Sequence, residues 1–127
     1  MNTTKEKNRE TLIAIVDDDQ SFREALQNLL ALIGFRTAIF AAARDFLDSP
    51  QFPKVSCAIL DVAMPGMDGL QLQRHLVRTH PIPIIFVTDL RDAKTREQAV
   101  RTGAIRFLNK PVSEDTLIDA LNSALRA

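Results

Sequence analysis

Asp17, Asp18, Asp19, Asp61, Thr88 and Lys110 could do chemistry together only if the fold collects them. Each ends or closely follows a short apolar run: the three acids follow TLIAIV, Asp61 follows VSCAIL, Thr88 follows IPIIFV, and Lys110 with Pro111 lies just past AIRFL. Carboxylates brought close repel one another, so either one takes up a proton or a cation settles between them. Mg²⁺ suits that place, because it takes oxygen ligands, needs only one or two carboxylates plus waters, and accompanies phosphoryl groups. An Asp carboxylate can attack phosphorus to give an acyl phosphate, while a metal ion, an ammonium and a hydroxyl share the phosphoryl oxygens. Asp61 suits the nucleophile, Lys110 the ammonium and Thr88 the hydroxyl. Taken singly, Asp61 could close a turn, Thr88 could merely end a strand and Lys110 could be a solvated cation; taken together, the phosphoryl reading is the better one.

The elements that must position these groups show in the periodicity. The runs at 11–16, 55–60, 82–87 and 104–108 are too short for buried helices and rich in β-branched residues, which marks buried strands; RTAIF at 36–40 is a weaker fifth. Phe22, Ala25, Leu26, Leu29, Leu30 and Ile33 recur at helical spacing and stop at Gly34, a C-cap residue. Leu70, Leu72, Leu76 and Val77 follow Asp68, an N-cap candidate, and Leu117, Ile118, Leu121 and Leu125 follow Ser113, with Glu114 and Asp115 suiting a first turn. Segments 43–49 and 92–102 read as weaker helices; the second, anchored by Ala93, Ala99 and Val100 before Gly103, should be loosely held. Pro50 and Pro53 bracket a loop. This alternation predicts an α/β fold: a flavodoxin-like, doubly wound, five-stranded parallel sheet in the order 2-1-3-4-5 with five helices. In such a sheet ligands bind beyond the carboxyl ends of the strands, where the reactive side chains stand.

The chain has 127 residues, enough for one domain at 11–127 after a polar tail at 1–10. Sixteen basic and sixteen acidic residues cancel, which disfavours direct nucleic-acid binding by this chain. Cys57, the lone cysteine, lies in an apolar run and reads as a small buried hydrophobe. No signal-peptide core and no membrane-length apolar run occurs, so a cytoplasmic location without membrane contact is expected. His75 and His80 lack partners at metal-ligand spacing and read as surface residues, while Asp19 and Asp68 read as helix caps.

The motifs IVDDD, DVAMPGMDG, VTD and NKP, in this order and spacing, resemble those of the receiver domain of bacterial two-component response regulators, over the whole chain after the tail. The resemblance implies a phosphorylation-activated signalling switch. Asp61 would take a phosphoryl group from a sensor histidine kinase or a phosphotransfer protein. Mg²⁺ would be held by Asp18, Asp61 and the backbone carbonyl of Ala63, with Asp17 acting through water. Thr88 would turn inward to a phosphoryl oxygen, and Phe107 would occupy the position of the family's aromatic switch, plain core being the alternative. The peptide before Pro111 should be cis. Output would pass through the fourth helix, fifth strand and fifth helix, with 92–102 as the two-state element. It would reach an unidentified partner, an output domain or a phosphorylation-dependent homodimer, and would control transcription, since the VDDD opening is similar to that of receivers carrying helix-turn-helix domains.

The sequence departs from the family pattern at three positions. Asp89 stands where similar receivers have a small residue and should slow phosphoryl entry, unless it faces solvent or caps the next helix. Ala63 and Leu90 are apolar where similar receivers influence the attacking water, which implies a long-lived phosphoaspartate. No enzymatic activity is expected beyond the chain's own phosphorylation and dephosphorylation. The rival readings are a phosphorylation-independent interaction module disabled by Asp89, and a flavodoxin-like nucleotide or FMN-binding domain, which lacks the expected Gly-rich loop after the first strand.

Overall fold

The run LIAIV, without polar alternation, forms strand β1 (Leu12–Val16), buried along its whole length as an inner strand of a parallel sheet must be. The structure is a computed structural model describing residues 10–126. β2 (Arg36–Phe40) and β3 (Cys57–Leu60) flank β1, and β4 (Ile84–Thr88) and β5 (Arg106–Asn109) follow, all parallel in the order β2-β1-β3-β4-β5. This is the expected topology. Val16 pairs with Leu60 and Leu60 with Phe86, so Asp17 and Asp61 leave neighbouring strands at the same level.

Helices α1 (Gln20–Ile33), α2 (Ala43–Leu47), α3 (Gly69–Thr79), α4 (Ala93–Arg101) and α5 (Glu114–Arg126) cover both faces. Leu26 and Leu30 of α1 and Leu117 and Leu121 of α5 pack with Ile13, Ile15, Ile59 and Val87 on one side. Phe46 of α2, Leu72 and Leu76 of α3 and Ala99 of α4 pack with Val16, Leu60 and Phe86 on the other. α2 is short, and its hold is aromatic: fully buried Phe46 has ring centroids of Phe40 and Phe52 at 5.4 and 5.1 Å. Truncating Phe46 to alanine would cost about 3–5 kcal/mol.

The helix ends follow local chemistry. Asp19 accepts from the Phe22 N–H at 3.2 Å, and Gly34, at φ 103°, ends α1 with its N–H on the Ala31 carbonyl. Asp68 and Gln71 form a reciprocal capping box at α3, and Ser113 Oγ accepts from the Thr116 N–H at 3.1 Å at the start of α5.

The structure corrects some expectations. Val77 and Val100 are 48% and 52% exposed and do not anchor their helices, because each lies on the outer side of its turn; α4 buries only Ala99. The helix expected over 43–49 stops at Leu47, and Pro53 lies inside a 3₁₀ turn, Phe52–Lys54, rather than in plain loop. His75 is exposed as expected, but His80 is half-buried, its ring 4.8 Å from that of Phe52 and its Nε2 without a hydrogen bond. Cys57 is buried, and burial pushes its thiol up to about 12, which leaves it unreactive. The expected tail lies outside the described residues except for Glu10. Among the described residues no helix is long and apolar enough to cross a membrane.

Candidate functional site

The site begins where β1 and β3 run out. The Asp17 N–H still donates to the Phe40 carbonyl and the Asp61 N–H to the Val16 carbonyl, both at 3.0 Å, so sheet bonding fixes each backbone up to its carboxylate. Asp17 Oδ1 accepts from the Asp19 N–H at 2.9 Å, and Arg23 Nη1 donates to the Asp17 carbonyl at 2.7 Å. Asp61 Oδ1 accepts from the Val62 N–H at 2.7 Å. Both carboxylates are buried, whereas Asp18 is exposed beside them. The chain then doubles back tightly, with the Gly69 N–H on the Val62 carbonyl at 2.8 Å. A Cβ at Gly69 would overlap the Asp61 carbonyl oxygen and come within 2.9 Å of the Asp61 carbonyl carbon and Val62 Cα. That close approach explains the Asp-Gly start of α3.

Lys110 binds the two buried acids together. Its Nζ stands 2.8 Å from Asp17 Oδ2 and 3.5 Å from Asp61 Oδ2, and 4.3 Å from the centroid of the Phe22 ring. Burial raises the Asp17 carboxyl above its ordinary range; the Lys110 contact and the Asp19 N–H oppose this, and the Asp61 charge adds to it. Burial pulls the Lys110 ammonium down, but the close Asp17 contact and the charges of Asp17, Asp61 and Asp89 outweigh it, and the net shift is upward. Lys110 therefore stays charged at neutral pH.

The acids outnumber that cation. Ligand oxygens of Asp17, Asp18 and Asp61 lie within 4.8 Å of one another. Asp17 Oδ2 is buried and has the Lys110 charge beside it, yet no hydrogen bond of acceptable alignment. An all-oxygen donor set, an excess of negative charge and an incompletely satisfied buried carboxylate oxygen fit a hard divalent cation such as Mg²⁺. Asp18, Val62, Ala63, Met64, Pro65, Asp68 and Leu90 line an open cleft of about 520 Å³ beside these carboxylates.

Thr88 closes β4 fully buried, and its Oγ1 accepts from the Leu90 N–H at 3.3 Å. Asp89 is exposed; it is not the cap of α4, which is Asp92, accepting from the Thr95 N–H at 3.2 Å and the Thr95 hydroxyl at 2.9 Å. These bonds hold the Asp92 carboxyl below its ordinary range. Phe107 is buried with its ring 5.8 Å from that of Phe86, an inward core position. The Lys110–Pro111 peptide is cis, as expected. The structure brings Asp17, Asp18, Asp61 and Lys110 together, with Thr88 at the same end of the sheet as the sequence predicts, and it sets Ala63 and Leu90 in the cleft beside them. Sequence reading missed Gly69, whose Asp-Gly step was the available signal, and it missed Asn109 and Arg91, whose bonds depend on how two loops meet.

The model of the response regulator receiver domain matches residues 13–122. The chain is 42% identical over 126 residues to the transcriptional regulatory protein TdiR of Thauera aromatica, covering 98% of this chain and 55% of that protein. It is 41% identical over 119 residues to the response regulator protein TmoT of Ectopseudomonas mendocina, covering 93% and 54%. The chain thus spans about half the length of the curated relatives it matches. Among solved structures, the response regulator StyR superposes with a TM-score of 0.84 at 40% identity, over 92% of this chain and 60% of that one. FixJ-N superposes with a TM-score of 0.81 at 30% identity, over 91% and 94%.

Proposed function

The chain belongs to the response regulator receiver domain family, and from that premise we propose that it is a switch thrown by phosphorylation of Asp61. The observation that carries this reading is the placement of Lys110 Nζ between Asp17 and Asp61, with Asp18 completing a set of oxygen donors within 4.8 Å. Asp61 Oδ1 is occupied by the Val62 N–H, which leaves Oδ2, on the Lys110 side, as the attacking oxygen. The Oδ2–P bond forms as the N–P bond of a phosphohistidine on a sensor histidine kinase or phosphotransfer protein breaks. Asp18, Asp61 and the Ala63 carbonyl would hold Mg²⁺, with Asp17 contacting it through water; the ion, when bound, neutralises charge on the phosphoryl oxygens.

The chain's own residues do the rest. Lys110 shifts its charge from Asp17 toward the new phosphoryl oxygens, and the Thr88 hydroxyl gives up the Leu90 N–H to donate to one of them. Phe107, already buried beside Phe86, would stay inward as Thr88 turns, and α4, buried only at Ala99, would be displaced with β5 and α5 as the output face. Both relatives are about twice as long, and TdiR is a transcriptional regulatory protein, which supports control of transcription through an output domain or through a phosphorylation-dependent homodimer. A cytoplasmic location follows from the same reading, and the only reactions assigned to the chain are its own phosphorylation and dephosphorylation.

Intact mass after incubation with Mg²⁺ and acetyl phosphate tests this, with size-exclusion recorded alongside. One added phosphoryl group in wild type, absent in Asp61→Asn and without Mg²⁺, is the expected result. No addition from acetyl phosphate or from a phosphorylated kinase would overturn it in favour of a phosphorylation-independent module. The same time course reads the cleft: although Asp89 faces solvent, its charge still acts on Lys110, so Asp89→Ala should speed entry. After donor removal, Ala63→Asn should shorten the phosphoaspartate lifetime; unchanged rates in both variants would remove these two roles.

A further inference from the structure

The segment after Thr88 and the segment before Pro111 are fastened by reciprocal side-chain bonds. Asn109 Nδ2 donates to the Thr88 carbonyl at 3.2 Å and to the Leu90 carbonyl at 2.6 Å. With two acceptors in front of it, that end of the amide is necessarily the nitrogen. Arg91 Nη2 donates back to the Lys110 carbonyl at 2.9 Å. Sheet pairing places Thr88 opposite Asn109, with the Lys110 N–H on the Thr88 carbonyl at 2.9 Å. The sheet thus fixes Thr88 but stops short of Leu90, and Asn109 carries the attachment across the next two residues.

The stapled tripeptide is the one that matters for the chemistry. Thr88 supplies the hydroxyl, the Leu90 N–H occupies that hydroxyl, and Leu90 lines the cleft. Lys110, adjacent to Asn109, supplies the ammonium between the two acids. We infer that Asn109 is a positioning residue for phosphoryl transfer: by stapling Thr88, Asp89 and Leu90 to the strand end that carries Lys110, it holds the receiving hydroxyl in register with the ammonium, facing Asp61. This rests on the reading of Asp61 as phosphoacceptor. The plainer role, loop stability alone, makes a different prediction: a stabiliser acts whether or not the Thr88 hydroxyl is present, whereas a residue acting through that hydroxyl has nothing to position once it is gone.

The test is the rate of phosphorylation by acetyl phosphate with Mg²⁺, followed by intact mass, for wild type, Asp61→Asn, Asn109→Ala, Thr88→Val and the Asn109→Ala/Thr88→Val double variant, each checked for folding by circular dichroism. Asn109→Ala should slow the reaction about tenfold, the scale of a small misplacement of a reacting group. In the Thr88→Val background it should change the rate by less than about twofold, as coupled residues do. Arg91→Ala, an exposed change that leaves packing intact, should slow the reaction in the same direction and keeps the test decisive if Asn109→Ala fails to fold. A wild-type rate in Asn109→Ala and in Arg91→Ala overturns the inference. So does an equal cost of Asn109→Ala in both Thr88 backgrounds. A wild type that takes up no phosphoryl group overturns the phosphoacceptor reading and this inference with it.

Discussion

The sheet edge formed by β1 and β3 and the helix α4 are held in opposite ways. At the edge, Asp17 and Asp61 are buried, sheet-bonded through their own N–H groups and bridged by Lys110. α4 buries Ala99 alone and is tied to α3 by one buried bond, from Gln73 Nε2 to the Ala99 carbonyl at 2.8 Å. On the proposed reading, a charge placed on Asp61 would meet a frame that does not yield, and the rearrangement would fall on the α-helix with the least burial to lose. The difference between these regions would let a local electrostatic change have a remote readout.

The contrast can be broken most strongly at Gly69. Adding one methyl there forces the Asp61 backbone, so Gly69→Ala should destabilise the protein by about 2–3 kcal/mol in urea unfolding. A change below ~0.5 kcal/mol would mean that the edge yields after all. Next in size is the metal: Mg²⁺ at ten times its dissociation constant should stabilise wild type by about 1.4 kcal/mol in thermal melts, and Asp18→Asn should lose most of that gain. Equal gains in both would remove Asp18 from the ligand set.

Acid should push the two regions in opposite directions. Burial raises the folded-state pKa of Asp17 above its ordinary 3.8, so in metal-free protein its contribution to stability improves as pH falls through that raised value. The Thr95 bonds lower that of Asp92, so the α4 cap contributes fully above 3.8 and is lost as pH falls through the lowered value. Hydrogen exchange corrected for intrinsic rates should show α4 loosening in acid, with Asp92→Asn abolishing the pH dependence there; a cap unaffected by acid would contradict this. The smallest effect is expected at Val100, where Val100→Ser should alter stability by less than ~0.5 kcal/mol because the side chain is half exposed.

The difference between the regions also governs what the sequence could tell. Inner strands such as LIAIV and CAIL are continuously apolar because both faces are covered, and such runs announce themselves along with the acids that end them. Asp61 and Thr88 were legible for that reason, Lys110 because it follows the shorter apolar run of the edge strand β5, and the α1 and α3 caps because capping is local chemistry. α4 was legible only as a weak helix, and Val100 misled because a helix with a single buried residue has no stripe to read. His80 was misplaced because its burial comes from Phe52, in a turn whose position depends on the α2–β3 connection. Asn109 and Arg91 reach across loops that only the finished sheet brings together, and no spacing rule signals such bonds.

The central claim is that charge on Asp61 is absorbed by a fixed edge and read at α4. Hydrogen exchange resolved by segment, in Mg²⁺ with and without phosphorylation of Asp61, tests it most directly. Exchange should change over residues 88–110 and stay unaltered in β1 and β3. Unchanged α4 amides on a fully phosphorylated protein, or changes spread evenly through β1 and β3, would contradict the account.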